Sequence, residues 1–240
     1  MADGSTLKSA AELVRLNAAS EPNESAAYRE ARDALMVEEI ELRRHIARVA
    51  AMRRALPPGG EVKGDYLFQG ESSSVQGANP MGIEGLFGDK DTLFLYNWMY
   101  GPKRARPCPM CTALLACLEG NTDHLRQRIA VAIVGTSPIE RQIAFKVERG
   151  WKNLQFYADV NGNFSRDYRG VSPEGDDWAA EHVFTRRDGV IRHFWSAEAG
   201  PATADPGQDP TTAPDLMTLW NVLDLTPEGR GTNWYPKLSY

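Results

Sequence analysis

Two cysteines separated by two residues are the strongest chemical signal in the sequence. Cys108 and Cys111 lie in the run RPCPMC at residues 106–111, which follows a predicted buried strand and opens a predicted helix. Unpaired N–H groups and the macrodipole stabilise negative charge at a helix start, which favours a Cys108 thiolate. Cys111 lies one turn further on the same side, at a spacing compatible with a disulfide. The pattern predicts thiol–disulfide exchange, with Cys108 attacking and Cys111 resolving the mixed disulfide.

A zinc site is the alternative use of these cysteines. Zinc would need two further ligands, and Cys117 and His124 lie on the same predicted helix as Cys111. Cys117 faces a different side of that helix, which makes convergence of four ligands improbable. A Cys-x-x-Cys between a strand and a helix is more often redox-active than structural. We therefore expect no metal and no cofactor, and we interpret Cys117 as a small buried hydrophobe among leucines.

Several side chains near the dithiol could bind substrate or tune the thiolate. Trp98 and Tyr100, just upstream, could wall an active-site groove, although aromatics after a central strand are more often core. Arg106, with Arg104, could bind an anionic substrate, although an exposed basic loop is the commoner explanation. His182 is predicted near the strand that faces the dithiol and could shuttle a proton, although a histidine without a catalytic role is more common there.

Composition and charge narrow the class of protein. The chain has 240 residues, 42% hydrophobic content and a formal net charge of −5, which is ordinary for a globular protein and gives no support to a nucleic-acid partner. No stretch approaches the roughly 20 apolar residues of a membrane span, and the N-terminus lacks the pattern of a secretory signal. Three cysteines within ten residues are not a disulfide framework. The expectation is a cytoplasmic protein with no membrane association.

The first 60 residues are predicted to form a helical arm, and residues 61–240 a separate domain. Residues 22–56 contain one apolar stripe, with Pro22 in the first turn, and the run PPGG at residues 57–60 ends the helix. The stripe repeats every seven residues, at Tyr28, Leu35, Leu42, Val49 and Leu56. A second heptad position is not consistently apolar, so a coiled coil is not expected. The arm either packs on its own domain or embraces a second subunit, which would give a homodimer.

Residues 61–240 show the alternation of short strands and helices that is typical of an α/β domain with about four or five strands. The predicted strands are residues 92–96, 129–134, 154–157, 183–185 and 191–195, the last two joined by an Asp-Gly turn, and a hairpin is predicted around residues 66–77. The predicted helices are residues 81–87, 108–125, 139–149 and 215–223, and 197–214 is predicted to be a surface loop.

Further motifs make the sequence resemble the bacterial DUF899 family, whose members are thioredoxin-like and have been called predicted dithiol-disulfide oxidoreductases. The resemblance rests on LYNWMYGP at 95–102, PCPMC at 107–111, FK at 145–146, GW at 150–151 and LDLTPEGR at 223–230. It covers most of the chain, including the long N-terminal helix. It implies a thioredoxin-like fold related to the peroxiredoxin branch and a protein or small-molecule disulfide or thiol as partner.

Two positions depart from patterns known in such proteins. A cis-proline usually precedes the strand that faces the dithiol, and the matching place near Ala180 or Glu181 has none. The peroxidase branch uses Thr or Ser three residues before its reactive cysteine, and here that residue is Ala105. The sequence thus favours a thiol–disulfide oxidoreductase, with a non-catalytic binding or scaffold protein as the alternative and a thiol peroxidase less favoured.

Overall fold

The computed structural model describes residues 7–71, 79–197, 215–226 and 234–240. The chain divides into two compact units, Met1–Pro57 and Pro58–Tyr240. The segment predicted to be a surface loop, 197–214, lies almost wholly outside the described residues.

The first unit contains two helices, α1 (Ala10–Leu16) and α2 (Ala26–Arg54). Ser25 starts α2, because its Oγ accepts the Tyr28 N–H and so satisfies one of the unpaired donors of the first turn. The helix therefore begins four residues after Pro22, and the prediction that Pro22 lies in its first turn is wrong.

Helix α1 packs on one face of α2. Its buried residues are Ala10 and Val14. At its C-terminal end the Asn17 amide contacts Met36 Sδ at 3.4 Å, and before its N-terminus the Lys8 carbonyl accepts a bond of 2.6 Å from Arg44. No residue of α2 is buried, so its remaining faces lie open.

The second unit is an α/β domain with a single sheet. Its strands are β1 (Phe68–Gly70), β2 (Thr92–Asn97), β3 (Ala130–Gly135), β4 (Phe156–Asp159), β5 (Ala180–Arg187) and β6 (Val190–Ser196), and its helices are α3 (Ile83–Leu86), α4 (Pro109–Glu119), α5 (Thr122–Leu125), α6 (Ile139–Arg149), α7 (Asn163–Asp167) and α8 (Thr218–Leu223).

The sheet runs in the order β1-β4-β3-β2-β5-β6. Strands β2, β3 and β4 are parallel, and α4 and α6 connect them. Strand β5 pairs antiparallel with the other side of β2, and β6 returns from it through the predicted turn at Asp188 and Gly189. A strand–helix–strand unit whose first strand also carries an antiparallel hairpin is the thioredoxin-like arrangement. The predicted α/β, thioredoxin-like fold is confirmed, together with an N-terminal helix.

The sheet has six strands, whereas four or five were expected. The sixth strand is β1, which lies within the segment predicted to form a hairpin and pairs antiparallel with β4. The hairpin predicted around 66–77 falls partly outside the described residues. On its outer side, Phe68 exchanges two backbone hydrogen bonds with Met81, at 2.8 and 2.9 Å.

Part of each edge of the sheet is thereby covered by backbone. At the other edge, the Ile191 carbonyl accepts the Val62 N–H at 2.9 Å, and the Gly60 carbonyl accepts the His193 N–H at 2.9 Å. Gly59 is required for this approach, since a Cβ there would lie 1.8 Å from the His193 carbonyl oxygen.

The helix predicted over 108–125 is two helices. Helix α4 ends at Glu119, and Gly120 has low helix propensity. Beyond it, the Asn121 side chain donates to the Cys117 carbonyl at 3.0 Å, and Thr122 Oγ1 donates to the Leu118 carbonyl at 2.8 Å. These side chains replace the backbone bonds that would have continued the helix, so α5 starts in a new direction.

The two faces of the sheet carry two separate hydrophobic cores, because side chains of β2 alternate between them. Tyr96 faces the core under α4 and α6, which includes Cys111, Leu115 and Phe145. Leu95 faces the opposite core, which includes Phe164 and Phe184. The dithiol therefore belongs to the first face only.

Two helix-capping glycines provide a matched test of backbone conformation. Gly150 ends α6 at φ 69°, and Gly120 ends α4 at φ −67°, while a Cβ would meet nothing within 4 Å at either position. We expect Gly150→Ala to lower the free energy of unfolding by about 1 kcal/mol, because the left-handed region is strained for alanine. Gly120→Ala should be neutral or stabilising by up to about 1 kcal/mol. Urea unfolding of both variants measures the difference, and equal destabilisation would contradict it.

Candidate active site

Cys108 is the N-cap residue of α4, at the end of the loop that follows β2. Its N–H donates to the Met99 carbonyl at 3.0 Å, which ties the helix start back to the strand end. Its own carbonyl accepts the Thr112 N–H at 3.0 Å and Thr112 Oγ1 at 2.9 Å. Pro109 occupies the first helical turn, where its missing N–H costs nothing. The backbone of Cys108 is therefore fixed on both sides.

The two thiols differ in exposure in the way that the sequence predicts. Cys108 is half-buried, whereas Cys111 is 2% exposed and belongs to the core under α4. Both are free cysteines, and their side chains are in hydrogen-bond contact. An accessible sulfur next to a protected one is the arrangement that sequential thiol–disulfide exchange requires.

The pKa of Cys108 is lowered from 9.0 to about 6. The hydrogen bond with the Cys111 thiol is the largest cause, and the backbone N–H groups of Cys111 and Met110 at the start of α4 add to it. The Arg104 guanidinium also favours the thiolate, while partial burial opposes it. Near neutral pH Cys108 is therefore a thiolate, which is the nucleophilic form.

The pKa of Cys111 is raised well above its ordinary value. Its proton is held in the hydrogen bond to Cys108, and burial adds to the cost of its charged form. The Tyr96 hydroxyl is in hydrogen-bond contact with Cys111 and is the group that opposes this shift most strongly. One proton is thus shared unequally between the two sulfurs, and it stays on Cys111.

Asp177 holds the loop between β2 and α4 in place. Its carboxylate accepts the Gly101 N–H at 2.8 Å, Arg104 Nε at 3.1 Å and Thr136 Oγ1 at 3.2 Å. These donors come from the loop itself and from the end of β3, so one side chain fixes the position from which Arg104 acts on Cys108. Sequence analysis did not identify Asp177, because it lies in an irregular segment without a recognisable motif.

Glu181 is a buried carboxyl group on the dithiol face of the sheet. It lies directly opposite Tyr96 in the β2–β5 register and is 6% exposed. Burial raises its pKa to about 7, and the charge of Asp215 adds to the shift. In the sequence, Glu181 drew notice only because no cis-proline occupies that region. A glutamate within two residues of a predicted strand was the signal that could have identified it.

The predicted aromatic walls of the groove are core residues. Trp98 is 2% and Tyr100 5% exposed, and their rings contact edge to face at 5.0 Å between centroids. Trp98 Nε1 donates to Gln142 Oε1 at 3.3 Å, and the Arg141 guanidinium covers the Tyr100 ring at 4.8 Å. The structure thus places both residues behind the dithiol, where they support the loop and do not face an open groove.

Arg106 lies in the loop before α4, and its side chain packs against the surface of α6. Its guanidinium forms a bidentate ion pair with Glu148 and lies 5.0 Å from the centre of the Phe145 ring. A substrate anion would have to compete with Glu148 for it. Arg104, and not Arg106, is the cation that acts on the Cys108 thiolate.

His182 lies on the opposite face of the sheet from the dithiol. It pairs with Leu95 in the β2–β5 register, is fully buried, and its ring contacts those of Phe164 and Tyr168. Burial lowers its pKa to about 3. The sheet separates it from Cys108, so the structure does not support a proton shuttle through His182.

A cavity of about 760 Å³ opens beside the loop that carries the dithiol. Met99 and Arg104, which contact or act on Cys108, belong to its wall, together with Lys103, Asp177 and the half-exposed Trp178. It lies at the carboxyl ends of the parallel strands, where α/β proteins commonly bind ligands. Its size suits a small molecule or a peptide segment.

The described part of the chain contains neither a metal-binding cluster nor a membrane-spanning helix. No three His, Cys, Asp or Glu side chains there converge in a way that could hold a metal ion. Among the same residues, no helix combines the length and the apolar character needed to cross a bilayer.

The pKa of Cys108 can be measured by its rate of alkylation. In a Cys117→Ser background, we expect the reaction of Cys108 with iodoacetamide to rise with a midpoint near pH 6 and to level off by about pH 7, because only the thiolate reacts. Cys111→Ala removes the largest stabilising contact and should move the midpoint upward. A midpoint near 9 in the parent protein would show that the helix start does not activate Cys108.

Glu181 makes stability depend on pH in a defined direction. Its folded pKa of about 7 exceeds the ordinary 4.5, so the folded state retains a proton that the unfolded state loses, and stability falls as pH rises through this range. We expect Glu181→Gln to raise the free energy of unfolding by up to about 3 kcal/mol above pH 7 and by little below pH 4.5. Denaturant unfolding across this range is the measurement. The exposed Glu174→Gln is the control, and a pH-independent effect of Glu181→Gln would contradict the assignment.

Comparison with known proteins identifies a family and shows related folds. An X-ray structure of a peroxiredoxin aligns at 13% identity over 70% of this chain and 96% of that one, with a TM-score of 0.48. The Plasmodium falciparum antioxidant protein, a 1-Cys peroxiredoxin, aligns at 14% identity over 69% and 95%, with a TM-score of 0.45. A mutant of PrxQ from Xylella fastidiosa aligns at 9% identity over 59% and 84%, with a TM-score of 0.43. No curated protein matches the sequence.

The thioredoxin-like fold is assigned from the strand order and from the position of the dithiol at the start of α4. A family model, described as a bacterial protein of unknown function, matches residues 18–240 and so covers the second helix and the whole α/β domain. The chain therefore belongs to the DUF899 family.

Proposed function

We propose that this protein is a thiol–disulfide oxidoreductase in which Cys108 is the nucleophile and Cys111 the resolving thiol. The observation that carries the proposal is the Cys108 thiol at the start of α4, with a pKa lowered to about 6 and in contact with a buried second thiol. A structural role for the pair would not require one sulfur to be accessible and charged.

The first step is attack on a substrate disulfide. The Cys108 thiolate forms a bond to one substrate sulfur, the substrate S–S bond breaks, and the second substrate sulfur leaves as a thiolate. Charge is conserved, and no proton needs to move before attack, because Cys108 is already ionised. The stabilised thiolate is a moderate nucleophile and a good leaving group, so the same site also supports the reverse reaction.

The second step requires Cys111 to lose its proton, which the substrate thiolate released in the first step takes up. Attack of the Cys111 thiolate on Cys108 Sγ forms the internal disulfide and releases the remaining substrate thiolate, so that the substrate gains two electrons and the dithiol loses two. Once Cys108 is in a mixed disulfide, its negative charge no longer holds the Cys111 proton. The Tyr96 hydroxyl, in contact with Cys111, then stabilises the thiolate that attacks.

The cavity beside the loop is the proposed binding place for the groups attached to the substrate sulfur. Its wall contains the ion pairs Lys103–Asp176 and Arg104–Asp177. Trp178 offers an apolar surface beside them. A disulfide or thiol carried by a small molecule or a peptide fits this wall. A reduced dithiol with this chemistry suits the cytoplasm, where thiols are kept reduced, and we propose that location.

The geometry favours disulfide exchange over peroxide reduction. Ala105 offers no hydroxyl three residues before Cys108, and Thr112 directs its Oγ1 to the Cys108 carbonyl. A binding or scaffold protein on the same fold is the other candidate, and it requires no reversible disulfide.

Trapping the mixed disulfide tests the proposal. In a Cys117→Ser background, the aromatic disulfide DTNB should release two thiolate equivalents per chain and leave a Cys108–Cys111 disulfide, because the second thiol completes the exchange. Cys111→Ala in that background should release one equivalent and retain a stable adduct on Cys108. Cys108→Ser should lose the rapid phase by at least about 100-fold, because Cys111 is buried and protonated. Mass spectrometry identifies each product.

The outcomes separate the two candidate functions. Rapid labelling of Cys108 without formation of the internal disulfide would contradict the oxidoreductase and favour the binding protein. Peroxide consumption that depends on Cys108 and is as fast as disulfide exchange would instead support the peroxidase.

A further inference from the structure

Helix α2 carries an exposed apolar stripe along its whole length. The stripe consists of Tyr28, Leu35, Leu42, Ile46, Met52 and, just beyond the helix, Leu56, each between 44% and 65% exposed. The helix spans 29 residues, or about 44 Å. Tyr28, Leu35 and Ile46 lie within about 40° of Leu42 around the helix, whereas Met52 lies about 80° away. Such a band of large apolar side chains exceeds the scattered exposed hydrophobics of an ordinary surface and marks an interaction face.

The stripe lies on the face of α2 that α1 leaves free. Helix α1 and its flanks contact α2 at Met36 and Arg44. At 3.6 residues per turn, these two positions lie roughly 120° and 160° around the helix from Leu42. The packing within the first unit therefore does not use the stripe.

Charge is distributed unequally along α2. Residues 26–40 carry four acidic and two basic side chains, and residues 41–54 carry one acidic and five basic side chains. The acidic residues of the first half are Glu30, Asp33, Glu38 and Glu39, and the basic residues of the second half are Arg43, Arg44, Arg48, Arg53 and Arg54. A second copy in antiparallel orientation places the acidic half of each helix beside the basic half of the other.

We propose that α2 pairs with α2 of a second copy of this chain, antiparallel and about a twofold axis at Leu42. In this register Leu42 of one copy faces Leu42 of the other, Leu35 faces Val49, and Tyr28 faces Leu56. The heptad line Tyr28, Leu35, Leu42, Val49 and Leu56 is symmetric about Leu42, which is the condition that a self-complementary twofold interface imposes.

A parallel, in-register pairing would place the acidic halves of the two helices beside each other and the basic halves beside each other, and it is disfavoured.

The first test is the mass of the full chain in solution. Sedimentation at micromolar concentrations and low salt should show a dimer. Leu42→Glu should raise the dissociation constant by roughly 100-fold or more, since it buries two carboxylates against each other on the axis. Leu16→Glu replaces an equally exposed leucine of α1 and should leave the dimer unchanged. A monomeric parent protein, or a dimer that Leu42→Glu does not weaken, would overturn the proposal.

The second test is the dependence on salt, which needs no substitution. Because the acidic half of each helix lies beside the basic half of the other, added sodium chloride should weaken the dimer of the full chain about three- to tenfold between low ionic strength and about 0.5 M. Sedimentation at both salt concentrations measures the change, and a dimer that is unchanged or tighter at high salt would overturn the antiparallel orientation.

Discussion

The start of α4 is the constraint on which the site depends. A helix can stabilise a thiolate only at its first turn, where N–H groups lack partners, and this turn must therefore be held at a fixed place relative to the sheet. Three contacts do this: the bond from Cys108 to the Met99 carbonyl, the Thr112 contacts to the Cys108 carbonyl, and the Asp177 carboxylate under the loop. The aromatic residues behind the loop fill the space that would otherwise let it collapse. The reactivity of the two sulfurs thus depends on the rigid loop as much as on the four-residue motif.

The sheet divides the buried polar groups into two sets with different consequences. On the dithiol face, Tyr96 and Glu181 are neighbours across two strands, and Tyr96 is in hydrogen-bond contact with the second thiol. On the other face, His182 is enclosed by aromatic rings and cannot reach the sulfurs. A shift of β5 by one residue would exchange these positions, because side chains alternate along a strand. The pairing of β5 with β2 therefore decides which titratable group lies on the dithiol face.

The parts of the structure that could be predicted are those with local physical causes. The strand at 92–97, the helix at 139–149 with its left-handed Gly150, and the Asp188–Gly189 turn follow from apolar runs and turn chemistry. The greater exposure of Cys108 than of Cys111 follows from their separation by about one turn of helix. What could not be predicted depends on contacts between distant segments: the pairing of β1 with β4, the loop that Asp177 holds, and the bond between Trp98 and Gln142. The face on which His182 lies required the strand register, which no local pattern contains.

The partly covered edges of the sheet affect how this chain meets other extended chains. Free backbone groups of an extended chain readily add to an open strand. Here Met81 lies on the outer side of Phe68 in β1, and residues 60–62 lie along residues 191–193 of β6. At these positions the ladder is already occupied, so the fold itself limits strand addition and the aggregation that follows from it.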